Sequence, residues 1–131
     1  VVPSVKDADR KSIMEIAREI QDLSQKAKTG KLSLDDLKGS TFTITNSGNI
    51  GGMLATPVIN FPEVGILGVH KTSRRPIVKM VDGKETIAIA DVMWLSVAVD
   101  HRVVDGANGA RFMNIVLEYL GNPKKLLLDM A

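Results

Sequence analysis

Two histidines, His70 and His101, are the only side chains of this sequence whose ordinary titration falls near neutral pH. His101 lies within residues 100–106, which read DHRVVDG. A histidine placed in a loop can take up and return a proton, so it can serve as a general acid or base. Asp105 can orient the loop or the ring, and Gly106 allows the chain to turn sharply. The segment therefore predicts proton-transfer chemistry centred on His101.

A lone histidine at the end of a strand is more often a surface or capping residue. For His101, however, the complete pattern D-H-R-x-x-D-G stands between a predicted strand at 94–100 and a predicted helix at 107–120. Such junctions often carry functional side chains, so the pattern favours the functional interpretation. One face of the strand is predicted to carry Leu95, Val97 and Val99.

The remaining elements alternate between helix and strand patterns. A capping box, Ser12-x-x-Glu15, and a stop at Gly30 predict a helix over residues 12–28. The remaining predictions are a short helical turn at 33–36, strands at 41–45 and 64–69, a hairpin of strands 76–81 and 86–90 around Asp82-Gly83, and a last turn at 126–128 packed on the core. This order predicts an α+β domain in which helices cover one face of a mixed sheet.

Composition excludes several kinds of site. The chain has 131 residues, a net charge of +2 and no cysteine, so disulfides, thiolate nucleophiles and thiolate zinc sites are ruled out. The two histidines have no companion ligands at metal spacing, and no metal is expected. Sparse aromatic residues argue against nucleic acid, and no apolar run is long enough to suggest a membrane partner. There is no P-loop and no dinucleotide fingerprint.

The segment DHRVVDG resembles the active-site motif of the dihydrolipoyl acyltransferases, the core components of 2-oxo-acid dehydrogenase complexes. Residues 41–52, TFTITNSGNIGG, resemble the second signature of that family. Similar segments occur at residues 56–60, 62–64, 66–68 and 122–129, so the resemblance covers essentially the whole chain.

The resemblance implies an α/β two-layer sandwich of the chloramphenicol acetyltransferase type, with active sites between the subunits of a homotrimer that builds a larger cage. Residues 1–131 would then be the C-terminal part of an incomplete catalytic domain. The implied partners are a lipoyl domain further upstream, which carries the lipoyl group, and the 2-oxo-acid decarboxylase and dihydrolipoamide dehydrogenase components. The bacterial cytoplasm or the mitochondrial matrix is the expected location.

The implied reaction moves an acyl group, acetyl or branched-chain acyl ahead of succinyl, between the dihydrolipoyl thiol and coenzyme A. His101 would act as general base, and Thr45 stands where the family has an oxyanion-donating serine. Thr45 could also be a simple strand former, and Asp105, at the family's acidic position, a brace of the loop. By resemblance, the residues expected to contact coenzyme A are Ser24, Asn46, Asn49, Gly68 and His70.

Two other functions stay open at this point. An antibiotic O-acetyltransferase of the chloramphenicol type would use the same His-x-x-x-Asp-Gly pattern on a hydroxyl acceptor. A core fragment kept only for assembly would form a trimer or a cage without transfer activity. Competition between acceptors separates the first from the lipoamide enzyme, and an activity measurement separates the second.

Overall fold

A mixed three-stranded sheet carries most of the segments singled out above, in a computed structural model that describes residues 1–129. The sheet contains β1 (Thr43–Asn46), β2 (Gly65–Val81) and β3 (Lys84–Val99) in the order β1-β2-β3. β1 pairs with β2 in parallel, and β2 pairs with β3 antiparallel. The predicted mixed sheet is confirmed.

The hairpin of β2 and β3 is longer than the sequence suggested. The four strands predicted at 64–69, 76–81, 86–90 and 94–100 are the ends of only two continuous strands. Asp82 and Gly83 both have positive φ, 50° and 76°, which is the backbone of a two-residue turn that matches the twist of paired strands. The ladder shifts register between Val69 and Thr72, and this irregularity breaks the alternation that a strand prediction needs.

Residues 42–110 form one compact unit, and its buried centre lies where β2 pairs with both neighbours. Ile66 and Leu67 supply its buried apolar side chains. Beyond Thr72, β2 pairs only with β3, and the two strands continue as a ribbon. One face of this ribbon exposes four large apolar side chains, Val78, Met80, Ile87 and Ile89.

Residues 1–41 and 111–129 belong to a second compact unit. Its main element, α1 (Ile13–Lys28), begins with the predicted capping box, in which Ser12 and Glu15 exchange side-chain and backbone hydrogen bonds. The helix buries Leu23, and Gly30 follows with φ 68°. The predicted turn near Ser33 is a short 3-10 helix at Asp35–Leu37.

α2 (Gly106–Gly121) begins in the first unit and continues into the second, and α3 (Pro123–Asp129) follows it. The prediction that the last leucines pack on the core is wrong for two of them, because Leu127 and Leu128 are 61% and 77% exposed. Within residues 1–129, no helix combines the length and the apolar character needed to cross a membrane.

Candidate active site

His101 is carried by a tight loop that the residue before it organises. The Asp100 N–H donates to the Val64 carbonyl at 2.9 Å, which ties the loop to the start of β2. The Asp100 carbonyl accepts from the N–H groups of Val103 and Val104, both at 2.9 Å. The loop is therefore closed by its own backbone, and it leaves the His101 side chain exposed.

A pair of opposite charges flanks His101. The Arg102 guanidinium donates to both carboxylate oxygens of Asp100, with a shortest N–O distance of 2.6 Å, and the Arg102 N–H donates to the same carboxylate at 3.0 Å. These bonds lower the pKa of Asp100 to about 2, and the carboxylate in turn raises the pKa of Arg102. Both groups stay ionised at neutral pH and are engaged with each other, so they brace the loop and do not carry protons.

Asp105 fixes the other end of the loop by capping α2. Its carboxylate accepts from the Asn108 N–H at 2.7 Å, and its carbonyl accepts from the Gly109 N–H at 3.1 Å. Gly109 is buried, and a Cβ there would lie 3.9 Å from Val99 at the end of β3. Across the described part of the chain, no hydrogen bond joins Asp105 to the ring of His101. In this structure Asp105 therefore acts on His101 indirectly: it caps α2 and so fixes the loop that carries the ring.

The glycine-rich turn after β1 is built around Asn46 and Ser47. The Asn46 side-chain oxygen accepts from the Gly48 N–H at 2.9 Å, and the Gly52 N–H donates to the Ser47 carbonyl at 3.1 Å. Asn49 lies at the exposed tip, within a short 3-10 helix at Gly48–Ile50. The side chain of Asn49 is therefore open to a ligand, whereas the oxygen of Asn46 already holds the turn.

Thr45, Gly68 and Ser96 form one row across the sheet, because Gly68 pairs with Thr45 in β1 and with Ser96 in β3. Thr45 is half-buried. A Cβ at Gly68 would lie 2.6 Å from the Ser96 Oγ and 3.1 Å from the His70 Nε2, closer than atoms can approach without moving. The glycine therefore makes room for the two polar side chains beside it.

His70 is the most buried histidine, with 3% of its surface exposed. Its Nδ1 lies 3.0 Å from the Ser47 Oγ, and its Nε2 lies 2.8 Å from the Ser96 Oγ. The Ser96 hydroxyl donates onward to the Ala55 carbonyl at 2.8 Å. The resemblance implies a contact between His70 and coenzyme A, but both ring nitrogens of His70 are bonded within the chain, to two serines that the sequence did not indicate as its partners.

Glu63 is a second buried polar residue that the sequence did not single out. Its carboxylate accepts from the Thr43 hydroxyl at 2.6 Å and from the Asn60 amide at 3.4 Å. Glu63 is buried and these bonds join the segment before β2 to β1, so its role here is to hold the first strand in place.

The structure does not bring His101 and Thr45 together within one chain. Val99 ends β3 opposite Gly65, three residues along β2 from Gly68, the partner of Thr45. That offset is about 10 Å along the strands, and β1 and β3 are about 10 Å apart across the sheet. His101 follows Val99 by two residues in the direction that leads away from Gly68, so it is beyond hydrogen-bond reach of Thr45.

Ser24, the last predicted ligand contact, is exposed on α1 in the other compact unit. Among residues 1–129, no group of three or more histidine, aspartate or glutamate side chains is placed to hold a metal ion. The residues that the structure groups together are thus those of the sheet, namely Thr45, Asn46, Gly68 and His70.

A model of the family described as 2-oxoacid dehydrogenases acyltransferase (catalytic domain) matches residues 1–128. The chain belongs to this acyltransferase family. Among curated relatives, the succinyltransferase component of the 2-oxoglutarate dehydrogenase complex of Rickettsia felis is 46% identical over 130 residues. The acetyltransferase component of the pyruvate dehydrogenase complex of Staphylococcus aureus is 50% identical over 129 residues. The two identities are similar, so they do not select an acyl group.

Solved structures of acyltransferase cores share the fold. The dihydrolipoamide acetyltransferase of Azotobacter vinelandii matches with a TM-score of 0.87 and 38% identity over 97% of this chain. The cubic core of a pyruvate dehydrogenase multienzyme complex matches with the same TM-score and 39% identity. The predicted α/β fold of the acyltransferase cores is therefore confirmed.

The chain is shorter than the proteins it resembles. The match to the Rickettsia relative includes 99% of this chain and 31% of the relative. The match to the Staphylococcus relative includes 98% of this chain and 29% of the relative. It covers 51% of each of the two solved chains. The chain thus spans about a third of the length of these curated relatives and about half of these solved chains.

Proposed function

We propose that this protein transfers an acyl group between a dihydrolipoyl thiol and coenzyme A, with His101 as the general base. The observation that carries the proposal is the closed, exposed loop that presents His101 between β3 and α2 in a chain of the acyltransferase family. The same family membership and the names of the relatives argue against an antibiotic acceptor.

The chemistry needs a base because a free thiol has a pKa of about 8.5 and is mostly protonated at neutral pH. His101 takes the thiol proton as the sulfur attacks the thioester carbonyl of the acyl donor. The tetrahedral intermediate carries a negative oxygen, to which the Thr45 hydroxyl donates a hydrogen bond. Collapse of the intermediate breaks the old carbon–sulfur bond, and the departing thiolate recovers the proton from His101.

The separation of His101 and Thr45 supports an active site shared between two copies of the chain. Neither residue can meet the other within one chain, yet each lies at the end of a strand with its side chain at least partly exposed. A head-to-tail ring, such as a trimer, places the histidine of one copy against the threonine of the next. The relative solved as a cubic core supports the further assembly of such rings into a cage.

Catalysis in the Azotobacter enzyme has been studied at a serine, a histidine and an asparagine. The histidine and the asparagine of that protein are separated by three residues, as are His101 and Asp105 here. By the motif, Thr45 corresponds to the serine and keeps its hydroxyl. Asp105 corresponds to the asparagine, and both side chains can cap a helix.

Coenzyme A is the proposed acyl carrier, and its predicted contact with the most freely available side chain is Asn49, because Asn49 is exposed at the tip of the glycine-rich turn whereas the Asn46 oxygen is bonded within that turn. The proposed partners are a lipoyl domain and the decarboxylase and dihydrolipoamide dehydrogenase components of the complex. We further propose that residues 1–131 are the C-terminal part of the catalytic domain, acting in the bacterial cytoplasm or the mitochondrial matrix.

The test is acyl transfer to dihydrolipoamide by the complete gene product, from acetyl-CoA, a branched-chain acyl-CoA and succinyl-CoA in parallel. Removing the base in His101→Ala should lower kcat by ~10²–10⁴-fold. Removing the hydroxyl in Thr45→Val should lower kcat by ~10²–10³-fold, while Thr45→Ser, the matched control, keeps it. No transfer by the assembled wild-type protein would refute the enzyme and leave the scaffold function.

Mixed assemblies test whether two copies share the site. His101→Ala and Thr45→Val chains, co-expressed in equal amounts, should together regain about a quarter of wild-type activity, because a random head-to-tail ring pairs an intact histidine with an intact threonine at that fraction of interfaces. Mixed assemblies that stay as inactive as either variant alone would place both groups in one chain and refute the shared site.

A further inference from the structure

The hydrogen bonds around His70 run in a single direction. The Ala55 carbonyl can only accept, so the one hydroxyl proton of Ser96 is donated to it at 2.8 Å. The Ser96 oxygen is then an acceptor for the His70 Nε2, which must carry a proton. A neutral ring protonated at Nε2 has a bare Nδ1, which accepts from the Ser47 hydroxyl at 3.0 Å. A main-chain carbonyl thus sets the tautomer of a buried histidine.

This series of bonds joins parts of the chain that are far apart in sequence. Ser47 follows β1, His70 is carried by β2, Ser96 by β3, and Ala55 lies in the segment that leaves the glycine-rich turn. Both ends of residues 47–55 are therefore tied to one imidazole. Since the ring is 3% exposed, water has little access to replace either bond.

From this geometry we propose that His70 is a positioning residue that holds the glycine-rich turn in its reactive shape. The inference rests on the proposed function, because Ser47 stands between Thr45, near the end of β1, and Asn49, in the turn. Both ring nitrogens are engaged within the chain, so the ring acts through Ser47 and not by touching the ligand. The link that matters for transfer is the one between Nδ1 and Ser47, since it is the one that reaches the turn.

Two substitutions of His70 test the hydrogen bonds of its two ring nitrogens separately. In His70→Asn, the amide oxygen can take the place of Nδ1 and still accept from Ser47. In His70→Gln, the amide nitrogen can take the place of Nε2 and still donate to Ser96, but the Ser47 hydroxyl loses its acceptor at 3.0 Å and keeps only the Val69 carbonyl, at 3.5 Å. Each variant gives up one buried hydrogen bond, so the two are matched in the stability that they lose.

We expect kcat/KM for transfer by the complete gene product to fall by ~10–100-fold in His70→Gln, because a displacement of about 1 Å at reacting groups can cost this much. His70→Asn should stay close to the wild-type value. Adding Ser47→Ala to His70→Gln should cause no further loss, since the same bond is already broken. Equal losses in the two His70 variants would overturn the inference.

A second measurement does not depend on activity. Amide hydrogen exchange of residues 47–52, without substrate, should speed up in His70→Gln and in Ser47→Ala but not in His70→Asn. An inactive wild-type protein that shows this pattern would refute the proposed function alone. Unchanged exchange in His70→Gln would refute the positioning role alone. If both His70 variants fail to assemble, Ser47→Ala and Ser96→Ala take their place in the same two measurements. Ser47→Ala should then lower kcat/KM and speed up exchange more than Ser96→Ala does, and equal effects would overturn the inference.

Discussion

Substitution of Gly68 by alanine tests the close packing on which the polar row of the sheet depends. The added Cβ would lie 2.6 Å from the Ser96 Oγ and 3.1 Å from the His70 Nε2. The backbone at Gly68 is not left-handed, so the cost is steric and not conformational. If the neighbours stay, overpacking costs about 1–3 kcal/mol. If Ser96 turns away, it gives up its bonds to His70 and Ala55, at about 1 kcal/mol each.

Both routes lead to a loss of about 2 kcal/mol in the free energy of unfolding for Gly68→Ala. Urea unfolding of the complete gene product at one fixed concentration measures it, since association also contributes to apparent stability. Gly109→Ala is the matched control at another buried glycine. Its Cβ would meet only the Val99 Cγ2, at 3.9 Å, and alanine is favoured over glycine in a helix by about 1 kcal/mol.

The two glycines should therefore respond with opposite signs. Deleting the obstructing oxygen in Ser96→Ala should make Gly68→Ala much less harmful, so the double variant should be more stable than the sum of the single changes predicts by about 1 kcal/mol or more. A Gly68→Ala protein as stable as the wild type, or strictly additive changes, would refute the packing argument.

Two further predictions concern the loop of His101. Asp105→Ala should lower the free energy of unfolding by about 1 kcal/mol through loss of the cap of α2, whereas Asp105→Asn keeps the cap and should match wild type in a thermal melt; equal losses would contradict the capping role. The pKa of Asp100 is lowered from 3.8 to about 2 by Arg102, so this pair stabilises the folded state above pH 4 and ceases to do so as the pH falls through 2. Asp100→Asn should accordingly show a smaller fall in melting temperature between pH 4 and pH 2 than wild type, and identical falls would show that the pair does not contribute.

Local features were predictable from the sequence because their causes are local. The capping box at Ser12 and Glu15 and the turn at Asp82-Gly83 are each specified by residues within one turn of each other. The loop at His101 was predictable for a similar reason, since its residues form one short motif. The mixed sheet followed from the order of strand and helix patterns.

Features that depend on distant residues were not predictable. His70 contacts Ser47 and Ser96, which are 23 and 26 residues away in the sequence, and no local sequence pattern predicts either contact. The length of β2 and β3 was missed because the register shift after Val69 interrupts the alternation. The role of Thr45, and its pairing with His101, came from the family resemblance alone, because one chain does not bring the two residues together.

The ribbon beyond Thr72 has a consequence for a chain that has just left the ribosome. Val78 and Ile87 face the same side at 68% and 80% exposed, and the outer edge of β2 there is paired with no other strand of the described residues. Exposed apolar ribbons of this kind are templates for aggregation, and Pro76, which cannot donate a backbone hydrogen bond, interrupts this edge at a single point. We therefore expect a newly made chain to need this ribbon covered soon after synthesis, since exposed apolar surface is what chaperones and proteases act on in cells.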